Sequence, residues 1–317
     1  MTSAAFSHAQ SQHLHIYRLS RLRNELRFAL SRTDAAVLRE WGGRSASRLV
    51  RLTGQRVGAL SDLVKSIGRA GVAEAKGFGQ AIRSHRVSTH LGDRTAAAID
   101  GTISVSRTGA SLARSIGNAL VENPKDNAPK VLAAFLGFYA GSGGVDGDGG
   151  IPDLDLLAGI DAHRSLLTHS ILAGVLAEGL LLAVVDLVSQ IGDFLPHDHD
   201  PLWDRLAAVA APLSGPLTAG ASAGIAYHLL WDAAIQPAPY HGLPFEMSME
   251  AHQTVMGANG MAEGAYAAER QTHQPALFIQ DLPAGPTPGR KFVDAVSHAA
   301  KEAGRTGQTW FGKYKQS

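Results

Sequence analysis

IPDLDLLAGIDAHRSLLTHSILAGVLAEGLLLAVVDLVSQI, residues 151–191, is the stretch on which the reading of this chain turns. Its second half predicts a helix over about 165–191, strongly apolar from 171 onward and interrupted there by the charges of Glu178 and Asp186. Those two carboxylates share a helical face, either supporting a nearby site or lying exposed. The first half places Asp153 and Asp155 just after Pro152, then His163-Arg164 and Thr168-His169-Ser170. Carboxylates and neutral imidazoles are ligands that divalent metals accept. His163 and His169 point in different directions on an ideal helix, so both serve one site only if His163 lies in the preceding loop. Thr168 and Ser170 flank His169 and are placed to orient it.

Outward from this stretch the pattern stays helical. Ile16, Leu19, Leu22, Leu26 and Leu30 recur at helical spacing with Arg18, Arg21, Arg23 and Arg27 between them. Asp34 reads as a cap, and Trp41-Gly42-Gly43 as a break. Residues 45–120 are helical in spacing but rich in Gly. Residues 124–129 read as a linker, 131–139 as a short apolar helix and 141–150 as a Gly/Asp-rich lid. Asp146-Gly-Asp148 starts like a calcium loop, but Ile151 and Leu157 stand where such a loop needs Gly and Glu. His197-Asp198-His199-Asp200 could bind metal, but Asp200-Pro201 reads better as the cap and first-turn proline of a helix beginning near Leu202. A further helix covers 221–235, stopped by Pro237 and Pro239, and 245–270 is helical. His252 is expected at the surface. No run of alternating β-branched residues occurs, so the fold class is all-α. The expected organisation is a basic amphipathic helical region (1–128), a core (129–270), and a Pro/Gly-rich linker with a basic tail (271–317).

Composition narrows the chemistry. The 317 residues include no Cys, which excludes disulfides, thiolate metal sites and Cys nucleophiles. Residues 1–130 carry 20 Lys+Arg against 9 Asp+Glu, a balance of +11; residues 131–317 carry the remaining 9 against 19, a balance of −10. The basic half suits an anionic membrane surface or another polyanion, and the acidic half suits metal. Aromatics are sparse in the basic half, which disfavours base stacking and makes nucleic acid the weaker partner. No secretory signal pattern is visible. Residues 171–192 and 206–230 are apolar enough to be core helices or membrane spans.

His228 and Asp232 are four apart in an apolar segment, on one inward helical face. A buried His–Asp hydrogen bond or shared metal ligation both account for the pair. His241 follows, placed as a ligand or general acid.

Taken together, Pro152-Asp153-x-Asp155, His163-Arg164-x-x-x-Thr168-His169-Ser170 and His228-x-x-x-Asp232 before a Pro-containing loop resemble the bacterial YdjM-type membrane-bound metal-dependent hydrolases, also called LexA-binding inner-membrane-associated hydrolases. The resemblance covers about residues 135–245. It implies an all-helical, phospholipase-C-like metallohydrolase with Asp153, Asp155, His163, His169, His228 and Asp232 as metal ligands. One or two divalent ions, Zn²⁺ first and Mn²⁺ or Fe²⁺ after it, would activate a water against a phosphoester or lipid-like substrate. Arg164 would hold a phosphate oxygen, or else pair with Asp155 or Asp161. No His-Glu-x-x-His motif is present, which disfavours peptide hydrolysis. The expected location is the bacterial cytoplasm or the cytoplasmic face of the inner membrane. Two alternatives stand beside this reading: a membrane-associated structural or effector protein whose metal is only structural, and a nucleic-acid-associated protein using the basic half.

Overall fold

The computed structural model describes residues 3–93, 96, 114–159, 163–243 and 245–273. The described residues are helical, with no strand among them; one isolated bridge joins Ser165 and His241. The helices are α1 (Ser3–Arg32), α2 (Ala35–Arg83), α3 (Pro124–Ser142), α4 (Ile171–Ile191), α5 (Leu202–Ala234) and α6 (Met249–His273), with a 3-10 turn at Pro152–Ala158. Shorter helical segments cover 87–93 and 114–122. The expected basic tail lies outside the described residues.

The chain forms two compact units, Met1–Arg51 with Glu178–Ser214, and Leu52–Ala177 with Gly215–Ser317. Each draws on two separated stretches, so residues 1–128 do not form a unit of their own.

The first unit is held by polar pairs. Arg18 grips Asp200 through Nε and Nη2, both at 3.0 Å. Buried Glu25 accepts from Arg21 Nε at 2.7 Å, Asp200 N at 3.0 Å and Trp203 Nε1 at 2.9 Å. Trp41 Nε1 donates to Ala183 O at 2.9 Å, and Arg44 and Arg48 both face Asp186. The Trp41-Gly42-Gly43 break is therefore absent: α2 runs straight through it, held on both sides by these partners. Several arginines of the basic half are thus spent on carboxylates of the acidic half. Asp186 is one of those carboxylates, and Glu178, at 3% exposure, is buried rather than solvated.

In the second unit, residues 124–129 are not a linker. They are the opening turns of α3: Asn123 Oδ1 accepts from Asp126 N, and Pro124 sits where no N–H is needed. Gly143, at φ 73°, closes the helix in the left-handed conformation and donates to Tyr139 O at 2.9 Å. Helix α4 starts at Ile171 rather than Ser165, because Ser170 Oγ accepts from Leu172 N at 3.1 Å and caps it there. The two helices expected at 202 and 221 are one, and α5 continues past Pro212 and Pro216.

Helices α3 and α5 touch backbone to backbone. A Cβ on Gly137 would stand 2.1 Å from Leu217 O, and on Gly141 2.3 Å from Ala221 O. In return, a Cβ on Gly220 would stand 2.0 Å from Ala134 O, and on Gly224 2.2 Å from Phe138 O. The contact admits no side chain on either helix. A second tie is the fully buried Arg56–Glu263 pair, at 2.8 and 3.0 Å, with Ser222 Oγ 3.1 Å from Arg56 and the guanidinium 3.9 Å from the Tyr266 ring centroid. It joins α2, α5 and α6. Ala173, Ile225, Leu229, Tyr240 and Met256 fill the core between α4, α5 and α6.

Gly220→Ala is expected to destabilise the protein by about 1–3 kcal/mol or more through overpacking. Gly58→Ala, where no atom lies within 4 Å of the added carbon, should gain about 0.5–1 kcal/mol from helix propensity. Denaturant unfolding of both variants checks the contrast; equal effects would contradict it.

Candidate metal centre

The expected ligands meet in the second unit. Asp153 and Asp155 stand on the 3-10 turn, His163 and His169 on the turns before α4, and His228 and Asp232 one helical turn apart on α5. Both histidines of the first block lie ahead of the helix, which is how they share one site. His169, His228 and Asp232 have side-chain exposures of 0, 1 and 3%, whereas His163 is 24% exposed and marks the side facing solvent.

Four atoms converge at the buried end. His169 Nε2 is 3.4 Å from Asp153 Oδ1 and 3.5 Å from Asp232 Oδ2. His228 Nε2 is 3.7 Å from Asp153 Oδ1 and 3.6 Å from Asp232 Oδ2. All four are buried and take no hydrogen bond from any group among the described residues.

Their neighbours fix what these atoms present. His228 Nδ1 faces Ser142 O at 3.4 Å, a carbonyl that can only accept, so Nδ1 carries the proton and Nε2 the lone pair. His169 Nδ1 lies 3.1 Å from Thr168 Oγ1 and 3.4 Å from Asp155 Oδ2. Thr168 Oγ1 itself donates to Asp155 Oδ2, so it accepts from His169 and again leaves Nε2 as a lone pair. Two lone pairs and two carboxylate oxygens then face one another with no donor between them. Burying four acceptors this way is costly unless a cation joins them. Ligands about a cation at about 2.1 Å in a tetrahedron stand about 3.4 Å apart, close to the separations here. The buried Asp/His cluster fits a metal ion.

The remaining atoms position these four. Gly149 N donates to Asp153 Oδ2 at 2.6 Å, so the Gly/Asp-rich loop forms a wall of the site rather than a lid. Tyr227 Oη reaches Val145 O at 2.5 Å, and Trp231 packs on Gly147, fixing the same loop. Tyr240 Oη donates to His169 O at 2.7 Å; burial pushes its pKa up, so it stays a donor. His252, expected at the surface, is buried and accepts from Tyr240 N at 3.1 Å. Ser142, Gly149 and Tyr240 act mainly through backbone atoms or distant contacts, and no motif marks them. Ser170 caps α4 rather than orienting His169.

Arg164 turns inward rather than outward as a phosphate clamp, and pairs with Asp232 rather than Asp155; Asp161 lies outside the described residues. Buried and at φ 59°, it donates through Nη2 to Asp232 Oδ1 at 3.1 Å and through Nη1 to Gln236 O at 3.0 Å. Asp232 Oδ2 is thereby left for the centre. His241 is exposed and joins the site through its backbone, donating to Arg164 O at 3.2 Å; no contact of its imidazole with the cluster is found. His199 pairs with Asp204, and Asp200 caps α5, so that block serves the first unit.

Electrostatics follow burial and pairing. Burial works to raise Asp153 and Asp155. For Asp153 the neighbouring imidazoles of His169 and His228 and the Gly149 amide outweigh it; for Asp155 Thr168, Ser165 N and His163 do. Both carboxyls end below their ordinary value. Burial lowers His228 and raises Asp232.

Comparison of the chain with protein-family models, curated proteins and solved structures found no match.

For the metal-free protein, His228 is depressed when folded, so its contribution to stability is complete above its ordinary pKa of 6.5 and is lost as pH falls from there toward the depressed value. Asp153 and Asp155 extend the loss below their ordinary value of 3.8. Asp232, raised when folded, has the opposite sign: its contribution is present below 3.8 and is lost as pH rises through its raised value. Chelator-treated protein should therefore lose thermal stability on acidification from pH 7, and His228→Asn should flatten the first part of that loss. An unchanged slope in the variant would contradict the assignment.

Proposed function

We propose that the protein is a metal-dependent hydrolase, acting on a phosphoester, whose cation is held by Asp153, His169, His228 and Asp232. The observation that carries this reading is the set of four buried acceptor atoms facing one another without a donor. Two imidazole nitrogens and two carboxylate oxygens suit zinc first, and manganese or iron after it. Such a cation, when bound, polarises an oxygen and lowers the pKa of a bound water toward neutrality. The chain supplies the rest. Ser142 and Thr168 set the imidazole tautomers, Arg164 turns Asp232, and Gly149 holds Asp153. The motif resemblance to YdjM-type hydrolases supports the same reading and the phosphoester class.

One observation favours a second reading, a purely structural metal: four protein ligands, nearly all buried, resemble a closed structural site. Elemental analysis of purified protein, with a panel of chromogenic phosphomonoesters and phosphodiesters, separates the two. The expected result is bound metal, lost in His169→Ala along with activity. Arg164→Gln should keep the fold and weaken metal affinity about 10–100-fold. Protein without metal overturns both readings; bound metal without activity on any phosphoester leaves the structural one.

Two helical stretches, Ile171–Phe194 and Leu202–Ala234, are long and apolar enough to cross a membrane by length and composition alone. We propose that the protein docks on an anionic membrane face through its basic N-terminal half, where residues 1–130 carry 20 Lys+Arg against 9 Asp+Glu. Vesicle co-sedimentation should require anionic lipid and weaken with salt; binding indifferent to both would overturn this.

A further inference from the structure

Beyond the buried four-atom centre lies a second group of ligand atoms on its solvent side. We propose that Asp153, Asp155 and His163 hold a second divalent cation, with Asp153 Oδ1 bridging the two. The proposal rests on the metal-dependent reading above and adds to it a count, a bridge and an order of filling.

The potential ligand atoms fall into two sets, Asp153–His169–His228 and Asp153–Asp155–His163, each with all atoms within 4.8 Å of one another. Asp153 belongs to both. Its Oδ2 is committed to Gly149 N at 2.6 Å. Its Oδ1 is buried, accepts no hydrogen bond among the described residues, and has three imidazole nitrogens near it: His169 Nε2 at 3.4 Å, His228 Nε2 at 3.7 Å and His163 Nδ1 at 3.5 Å. A carboxylate oxygen has more than one lone pair to offer, so one atom can serve two cations.

Asp155 divides its oxygens in the same sense. Oδ2 is taken up by Ser165 N, at 3.0 Å, and by Thr168 Oγ1. Oδ1 is left facing His163 Nδ1 at 3.3 Å. The competing account of His163 is a proton on Nδ1 shared with the two carboxylates. Such a charge-assisted bond draws its atoms to about 2.7–2.9 Å. The observed 3.3 and 3.5 Å are long for that bond and close to the about 3.4 Å between ligands of one small cation.

The two positions differ in exposure. The inner set is sealed by His169 and His228, at 0 and 1% side-chain exposure, while His163 is 24% exposed. With Asp232 Oδ2 added, 3.5 and 3.6 Å from His169 Nε2 and His228 Nε2, the inner position has four protein ligands and the outer three, which leaves room for water or a substrate oxygen on the side open to solvent. Three protein ligands with an open position is the pattern of a catalytic ion, and four buried ligands that of a resident one. Cations about 3.5–4 Å apart act as a clamp on phosphoester oxygens in two-metal hydrolases. The inner position therefore fills first and tightly, and the outer one second and more weakly.

The test uses the full chain, stripped with chelator and titrated with Zn²⁺ by calorimetry and with Mn²⁺ by electron paramagnetic resonance. Wild type should take up two ions per chain in two affinity classes, and at saturation the Mn²⁺ spectrum should show exchange coupling. His163→Gln, a change in a partly exposed turn whose fold circular dichroism checks, should take up one ion with the tighter affinity retained and no coupling. Asp232→Asn should weaken the tighter class. Wild type saturating at a single ion overturns the second site and leaves the hydrolase reading standing, as does His163→Gln still binding two coupled ions. Uptake of no ion overturns both.

Discussion

The backbone contact between α3 and α5 is the constraint on which the site depends. Gly137 and Gly141 on one helix, and Gly220 and Gly224 on the other, let carbonyl oxygens approach where any side chain would collide. That approach carries Ser142, the last residue of α3, to the imidazole of His228 on α5. It also places the loop after α3 where Gly149 can reach Asp153. Two groups of the buried cluster thus owe their orientation to a contact made by residues with no functional group at all.

From that contact outward, each acceptor in the cluster has one atom committed to the protein and one left over. Asp153 gives Oδ2 to Gly149, Asp232 gives Oδ1 to Arg164, His228 gives Nδ1 to Ser142, and His169 gives Nδ1 to Thr168. The leftover atoms are the four that face one another. Such an arrangement is poorly suited to a metal-free core, since like-polarity groups are buried against each other. It is well suited to a cation, because the ligands need no rearrangement when one arrives.

Much of this was legible in the chain. The apolar periodicity identified an all-helical protein, and the His228–Asp232 spacing put both on one face of α5. What stayed hidden had a physical cause in each case. Residues 124–129 carry two prolines and look like a linker, yet Pro124 is favourable at a helix start once Asn123 caps it. Gly42 and Gly43 look like a break because propensity cannot register the hold of Trp41 on Ala183 and of Arg44 on Asp186. Arg164 invites the reading of a phosphate ligand because its partner, Asp232, is remote in sequence and meets it only in the fold. Ser142 and Gly149 contribute backbone atoms, which every residue possesses, so no pattern of side chains could reveal them.

Charge shows the same dependence on the fold. The basic and acidic halves invite the idea of two separate partners. Within the first unit, however, Arg18 is bound to Asp200, and Arg44 and Arg48 to Asp186. Those pairs are partly exposed, so each contributes little stability by itself. Their effect is to settle which stretches belong together, since residues 178–214 bring the carboxylates that the arginines of α1 and α2 need. In the second unit Asp153, Asp155 and Asp232 gather at one site, where Arg164 pairs with Asp232 alone of the three. A centre with three carboxylates and one guanidinium keeps a net demand for positive charge, which suits it to hold a metal ion.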